Sequence, residues 1–372
     1  MPATVNERLQ DAAVSHAVDL LHYSNGVVQR IVATLNRVDA DLAAALMSAL
    51  DRLPESEFNV QRLEGLLFSV RALNAQAYAQ VGRELSDELR RFVEVEADHQ
   101  LQLFQAIIPP QVQASVGVAA VNAEQVYAAA MARPFQGRLL AEWAQSLEAD
   151  RLARIRDAVR IGFVEQQTIS EIVRRVRGTR AKGYSDGIIE IDRRNAEAVV
   201  RTAVSHTAGT VRDRFFSDNS DLVKAIAWTA TLDTRTSEIC RLRDGKRYTC
   251  QEHKPIGHKL PWLSGPGRAH WNCRSTGVPI TKSWAELGID LPETPASTRA
   301  SMDGQVPEDQ TYGQWLRKQS AARQDEVLGA TRGALFRRGG LALEAFANDK
   351  GRWLSLDELR ARSGDAFRLA GV

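Results

Sequence analysis

Apolar residues recur at helical spacing through most of the first 216 positions, and this one periodicity restricts the chain to a mainly α architecture. From Val5 to Leu50 the series Leu9, Ala13, His16, Leu20, Val28, Ile31, Leu35, Leu42, Leu46 and Leu50 keeps one face apolar, and Pro54 closes the stretch. A second series, Val60 to Leu103, passes through Leu63, Leu67, Val70, Ala77, Val81, Leu85, Leu89 and Phe92 and stops at Pro109 and Pro110. Two long helices of this kind predict an antiparallel hairpin. His16, His22 and His99 lie on them with no cysteine or carboxylate pattern beside them, and read as ordinary core or surface histidines.

Ala119–Arg133 and Phe135–Val164 are alanine-rich and helical in period. Thr168 and Glu171 have capping-box spacing before Ile172 and Val173, which predicts a helix start. Its end carries Arg174, Arg175, Arg177, Arg180 and Lys182, interrupted by Gly178 and Gly183. Two readings fit this run: a solvated helix end whose cations suit the dipole, or a patch that contacts phosphate. Arg193–Phe216 predicts a further helix.

Near Ile226 the period changes. Ile226–Leu232 alternates as a strand would, Lys246–Thr249 is its expected partner across the turn at Asp244 and Gly245, and Thr276–Thr281 is a third short strand. Leu291–Gln310, with three prolines, predicts an extended linker, and Tyr312–Leu369 returns to helical patterning. The expected organisation is an N-terminal helical region (1–110), a central helical region (111–218), a small β-containing module (219–285), a linker (286–311) and a helical C-terminal region (312–372).

With 372 residues the chain can bury two or three cores, and 44% hydrophobic with 25% charged residues is ordinary globular composition. The net charge of +2 announces no nucleic-acid binder, yet residues 240–274 are locally basic, with Arg241, Arg243, Lys246, Arg247, Lys254, Lys259, Arg268 and Arg274 against Asp244 and Glu252. Arg241, Arg243, Lys246 and Arg247 are the candidates for DNA contact. Met1–Asp19 lacks a cationic stretch followed by an apolar one, and no run of about 18 apolar residues exists, so neither export nor a membrane span is expected.

All three cysteines and three of the seven histidines fall within Cys240–Cys273. An odd cysteine count in a tight cluster suits metal or free thiols in a reducing compartment better than a disulfide framework. Zinc takes four tetrahedral ligands from Cys and His, often in close pairs from turns. His270 and Cys273 form an H-x-x-C pair, Cys240 is the natural third ligand, and the fourth is Cys250 or, as its alternative, His253; His258 stands behind both. No G-x-S-x-G, H-E-x-x-H, Walker A or G-x-G-x-x-G sequence occurs, so no catalysis and no small-molecule substrate is expected.

Trp228, Thr229, Asp233, Arg235, Thr236, Cys240, Asp244, Gly245, His270, Asn272, Cys273 and Arg274 together resemble the signature of the phage Mu F-like head morphogenesis family, the minor head proteins of tailed phages. Upstream, Ile161, Gly162, Thr168, Glu171, Ile172, Arg201 and Thr202 are similar to the stretch that precedes it, so the resemblance spans about Ala153–Ile280. Members often carry C-x-x-C where this chain has Ser237 and Cys240. The resemblance implies a virion protein made in the host bacterial cytoplasm, bound near the portal with other head or scaffold proteins, and able to contact double-stranded DNA. Two other readings start from the residues alone. One is a metal-dependent nuclease of the histidine-rich ββα type using His253, His258 and His270; the other is a zinc-stabilised DNA-binding module. Asp233 is expected to cap the turn after the first strand and to pair with Arg235 or Arg274.

Overall fold

The structure is a computed structural model and describes residues 4–52, 67–290, 298–301, 304–307 and 310–372. Pro54 and the expected helix start at Val60 lie outside the described residues, as does much of the expected linker. Where that linker is described, β5 (Thr298–Ser301) and β6 (Gly304–Pro307) pair as an antiparallel hairpin instead of running as extended chain.

Among the described residues up to 218, the α-helices are α1 (Val5–Asp51), α2 (Phe68–Ile107), α3 (Pro110–Val116), α4 (Ala123–Ala132), α5 (Leu140–Val164), α6 (Ile169–Arg177) and α7 (Ile189–Asp218). Pro110 sits at the first position of α3, where its missing N–H would have had no helical partner. Thr168 and Glu171 make the expected reciprocal cap, with Glu171 N donating to Thr168 Oγ1 at 3.3 Å and Thr168 N to Glu171 Oε2 at 2.7 Å. The helix expected from Phe135 begins only at Leu140. Gln136 and Gly137 adopt positive φ, and Phe135 and Arg138 close a short β-bridge that occupies the backbone groups a helix would need.

The chain divides into two compact units, one of residues 21–92 and 127–204, the other of residues 1–20, 93–126 and 205–372. In the first unit α1 and α2 run antiparallel, as Tyr23 bonds Glu88 and Thr34 bonds Glu84. Its core gathers Leu42, Leu46, Val70, Ile155, Val159, Ile172 and Val176. Asp39 is buried there between Arg151 and Arg193.

The second unit holds a four-stranded antiparallel sheet in the order β3-β2-β1-β4, formed by β1 (Val223–Thr229), β2 (Arg247–Thr249), β3 (Pro255–Ile256) and β4 (Thr276–Thr281). Ile226 stands opposite Tyr248 and Trp228 opposite Gly277. The expected pairing of the first two strands forms, with two differences. β1 ends at Thr229, because the following residues turn into a loop held by Asp233. The connection to β2 also contains a helix, α8 (Glu238–Arg243), so Asp244 and Gly245 lead from that helix into β2 and are not a hairpin corner. The inner face packs Trp228, Tyr248 and Trp262 against Phe104, Phe215 and Phe216.

The C-terminal helices α9 (Tyr312–Arg317), α10 (Ala321–Leu328), α11 (Ala330–Arg337) and α12 (Leu356–Ala370) enclose Trp315, Leu335, Phe336 and Phe346, with Leu232 and Leu242 in the same core. Asp244 joins the parts: Ala230 N donates to its Oδ1 and Tyr312 N to its Oδ2, each at 2.7 Å.

His16 and His99, read above as ordinary histidines, stack with ring centroids 3.7 Å apart. His16 Nε2 lies 2.6 Å from the carboxylate of buried Glu96, which also accepts from Arg212 Nε at 2.9 Å. Arg212 Nη1 in turn donates to Thr276 Oγ1 at 2.6 Å, so a buried charged chain links α1, α2, α7 and β4.

Candidate metal centre

Ser237 caps α8, its hydroxyl accepting from Cys240 N at 3.4 Å, and the first turn of that helix aims the Cys240 thiol inward. On the other side, residues 270–273 turn back on themselves, with Cys273 N donating to His270 O at 3.3 Å. Asn272 takes a φ of 53° there, a left-handed conformation that asparagine tolerates better than most residues. The turn sets the H-x-x-C pair beside α8.

The side-chain donor atoms of Cys240, His270 and Cys273 all lie within 4.8 Å of one another. Cys240 Sγ is 3.6 Å from Cys273 Sγ and 3.3 Å from His270 Nε2. On one tetrahedral zinc, two thiolates stand about 3.8 Å apart and a thiolate and an imidazole nitrogen about 3.5 Å, given bonds of about 2.3 and about 2.0 Å. The spacing therefore fits a single ion. His270 Nδ1 donates to Trp271 O at 2.9 Å, which fixes the proton on that nitrogen and leaves the Nε2 lone pair facing the sulfurs. Both cysteines are buried and His270 is half-buried.

The two thiols are shifted in opposite directions. The hydrogen bond to Cys273 and then burial push the Cys240 thiol up. That same bond, helped by His270, pulls Cys273 well down against the effect of burial. Burial disfavours the His270 imidazolium, but its bond to Cys273 outweighs this and raises its pKa. Two sulfurs and one imidazole nitrogen at these distances are the donor set a soft cation takes.

The structure does not bring the expected fourth ligands to this group. Cys250 donates its thiol to Val223 O at 3.0 Å. His253 stacks on Trp262 at 4.5 Å, near Asp213, and His258 Nε2 lies 2.9 Å from Arg247 O. Ser237 stands next to the site instead, its hydroxyl 2.7 Å from His270 Nε2. The C-x-x-C position it occupies was the signal for this placement.

The surrounding signature residues hold the loops. Asp233 accepts from Arg235 N at 3.0 Å and from Thr236 Oγ1 at 3.1 Å, and pairs through its carboxylate with Arg274; the side chain of Arg235 is exposed. Gly245 takes a φ of 75° and donates to Trp228 O at 2.8 Å, a conformation that favours glycine. Trp228 is fully buried and meets Trp262 edge to face at 5.6 Å.

Two of the four DNA-contact candidates are withdrawn from solvent. Arg243 is 1% exposed, lies over the Trp228 ring and donates to Pro261 O and Ile239 O. Half-buried Arg241 donates to Val327 O at 2.8 Å. Lys246 pairs with Glu344, and Arg247 alone of the four is exposed. Basic composition here reflects internal hydrogen bonding as much as surface charge.

Residues 153–278 match the model of the family described as Phage Mu protein F like protein. No curated protein and no solved structure matches the chain. The matched stretch takes in α6, α7, the first three strands of the sheet and the whole Cys240, His270, Cys273 group.

Proposed function

With residues 153–278 belonging to the phage Mu protein F like family, we propose that the chain is a minor structural protein of a tailed-phage or prophage head. It acts in head morphogenesis beside the portal, in company with other head or scaffold proteins, and contacts DNA. It performs no catalysis and takes no small-molecule substrate. The family match is the observation that carries this reading.

The cysteine and histidine group suits a structural role within it. Cys240, His270 and Cys273 would hold zinc, with Ser237 or a water in the fourth position. When bound, the ion supplies a cross-link between α8 and the 270–273 turn. Metal analysis of the purified chain is expected to find close to one zinc per chain; less than a tenth would remove zinc from the proposal.

The assembly role is tested by co-expressing the tagged chain with the portal protein of the same phage. Co-purification with the portal oligomer supports it, and separate elution of two well-folded proteins overturns it. Incubation with plasmid and magnesium or manganese tests the absence of catalysis. Nicking that disappears in His270→Ala would replace this proposal with a nuclease.

A further inference from the structure

Eight cations crowd residues 241–274, yet the fold engages seven of them. Arg241 and Arg243 donate to backbone carbonyls, Lys246, Lys254 and Lys259 face Glu344, Glu252 and Asp349, and Arg268 and Arg274 pair with Asp213 and Asp233. Only Arg247 has no such partner among the described residues. Most of the charge in this cluster is thus compensated within the fold, and a less compensated surface is the better candidate for DNA.

Residues 174–184 contain five cations, Arg174, Arg175, Arg177, Arg180 and Lys182, and no acid. The acids that flank this run are occupied. Glu165 pairs with Arg175, Glu171 caps Thr168, and Asp186 accepts from Thr179 N at 2.7 Å and Thr179 Oγ1 at 2.9 Å. Arg174, Arg180 and Lys182 are exposed, and their side chains make no hydrogen bond or ion pair among the described residues.

The segment that carries them is tightly closed. Gly178 ends α6 with a φ of 88°, and a Cβ on Gly187 would lie 2.4 Å from Gly178 N, so the neck of the loop closes glycine against glycine. Within it Tyr184 N donates to Thr179 O at 2.8 Å and Ser185 Oγ to Lys182 O at 2.8 Å. Cations held on such a frame lose less freedom when they meet a charged partner than cations on a loose tail.

We propose that the loop of residues 174–184 is a contact surface for the phosphate backbone of double-stranded DNA, with Arg174, Arg180 and Lys182 as its phosphate-binding groups. The surface offers no platform for unstacked bases, because Arg177 lies over the Tyr184 ring at 4.7 Å. It offers no apolar wedge for a lipid surface, because Val176 is fully buried. Contact is thus electrostatic and independent of base sequence. The inference deepens the DNA contact named above, and failure of portal co-purification would leave it standing.

The test measures binding of the full chain to a labelled duplex of random sequence across a potassium chloride series. Each phosphate contact contributes about 0.9 to the slope of log affinity against log salt, so Arg174→Ala/Arg180→Ala/Lys182→Ala should lower that slope by about 2.7. Between about 50 and about 200 mM salt the wild-type chain then loses about 40-fold more affinity than the variant. A control, Arg247→Ala/Lys254→Ala/Lys259→Ala, changes exposed cations of the other cluster and is expected to keep the wild-type slope. All six side chains are exposed, so circular dichroism and melting should match the wild type. An unchanged slope in the loop variant overturns the proposal, as does a loss confined to the control. Tighter binding to phosphatidylserine vesicles than to duplex, abolished by the loop variant, would reassign the surface to a membrane.

Discussion

Arg274 grips Asp233 through two parallel hydrogen bonds, Nη1 to Oδ2 at 2.5 Å and Nη2 to Oδ1 at 2.8 Å. Arg274 directly follows Cys273, a candidate ligand, and Asp233 opens the turn that leads to Ser237 and Cys240. The pair thus joins the two segments that carry Cys240, His270 and Cys273. Burial works against the Asp233 carboxylate, but Arg274 outweighs it and holds the pKa below the usual range. The pair is 26% and 16% exposed, so water screens it only in part. Asp233→Asn and Arg274→Ala are each expected to lower unfolding free energy by about 1–3 kcal/mol in urea denaturation. Arg274→Lys should recover only part of this, since one ammonium cannot reproduce a two-pronged contact. Changes of under about 0.5 kcal/mol in both removals, the ordinary range for surface substitutions, would show the clasp to be incidental.

The Ser237 hydroxyl lies beside the three candidate ligands, 2.7 Å from His270 Nε2. Ser237→Cys is therefore expected to tighten zinc binding by about tenfold or more, read by competition with a chelator. Cys273→Ser should remove the metal and lower the melting temperature while the far-ultraviolet signal of the long helices persists. Cys250→Ser separates the two cysteine environments. Its thiol serves Val223 O, so zinc content should be unchanged. Loss of zinc from Cys250→Ser, with Ser237→Cys without effect, would reverse the ligand assignment.

Glu96 ties the acid limb of stability to the second unit. Burial alone would push its carboxyl up, but Arg212 and His16 outweigh that and hold it below its ordinary value of 4.5. A depressed folded-state pKa means that the stabilisation is complete above the unfolded value and is lost as pH falls through the folded one. Glu96→Gln should therefore flatten the loss of stability below pH 4.5. At neutral pH it should cost about 3–5 kcal/mol, because Arg212 is left buried without its counter-charge. An acid limb of unchanged steepness in urea titrations would locate the sensitivity elsewhere.

Helices with a 3.6-residue period were legible because each position states which face it occupies; α2, α5 and α7 differ from expectation mainly at their ends. The Thr168 cap and the H-x-x-C turn were legible because both partners sit within one turn of chain. Cys250 was not. Its distance from Cys240 along the chain is short, but β2 carries it to the Val223 end of β1, away from α8. Nor could composition show that Arg243 lies inside, since a guanidinium that finds two carbonyls and an indole ring satisfies its donors without solvent. Glu96 and Arg212 are 116 residues apart and carry no local pattern at all.

Asp192, in the first unit, titrates in the opposite sense. It is 1% exposed, and burial pushes its carboxyl from 3.8 up to about 6 although Arg154 and Arg151 pull it down. A raised folded-state pKa contributes stability that is complete below the unfolded value and is lost as pH rises through the folded one. Between pH 3.8 and about 6 the wild-type protein should therefore lose stability from this group, by about 3 kcal/mol at about 1.4 kcal/mol per unit. Asp192→Asn cannot titrate. Loss of the charged contact with Arg154 shifts its stability by an amount that does not change above about pH 6, so only the pH-dependent part is diagnostic. The difference in unfolding free energy, variant minus wild type, should become more positive by up to about 3 kcal/mol as pH rises from about 4 to about 7. A constant difference across that range would mean that Asp192 is ionised throughout, held by Arg154 and Arg151 against its burial.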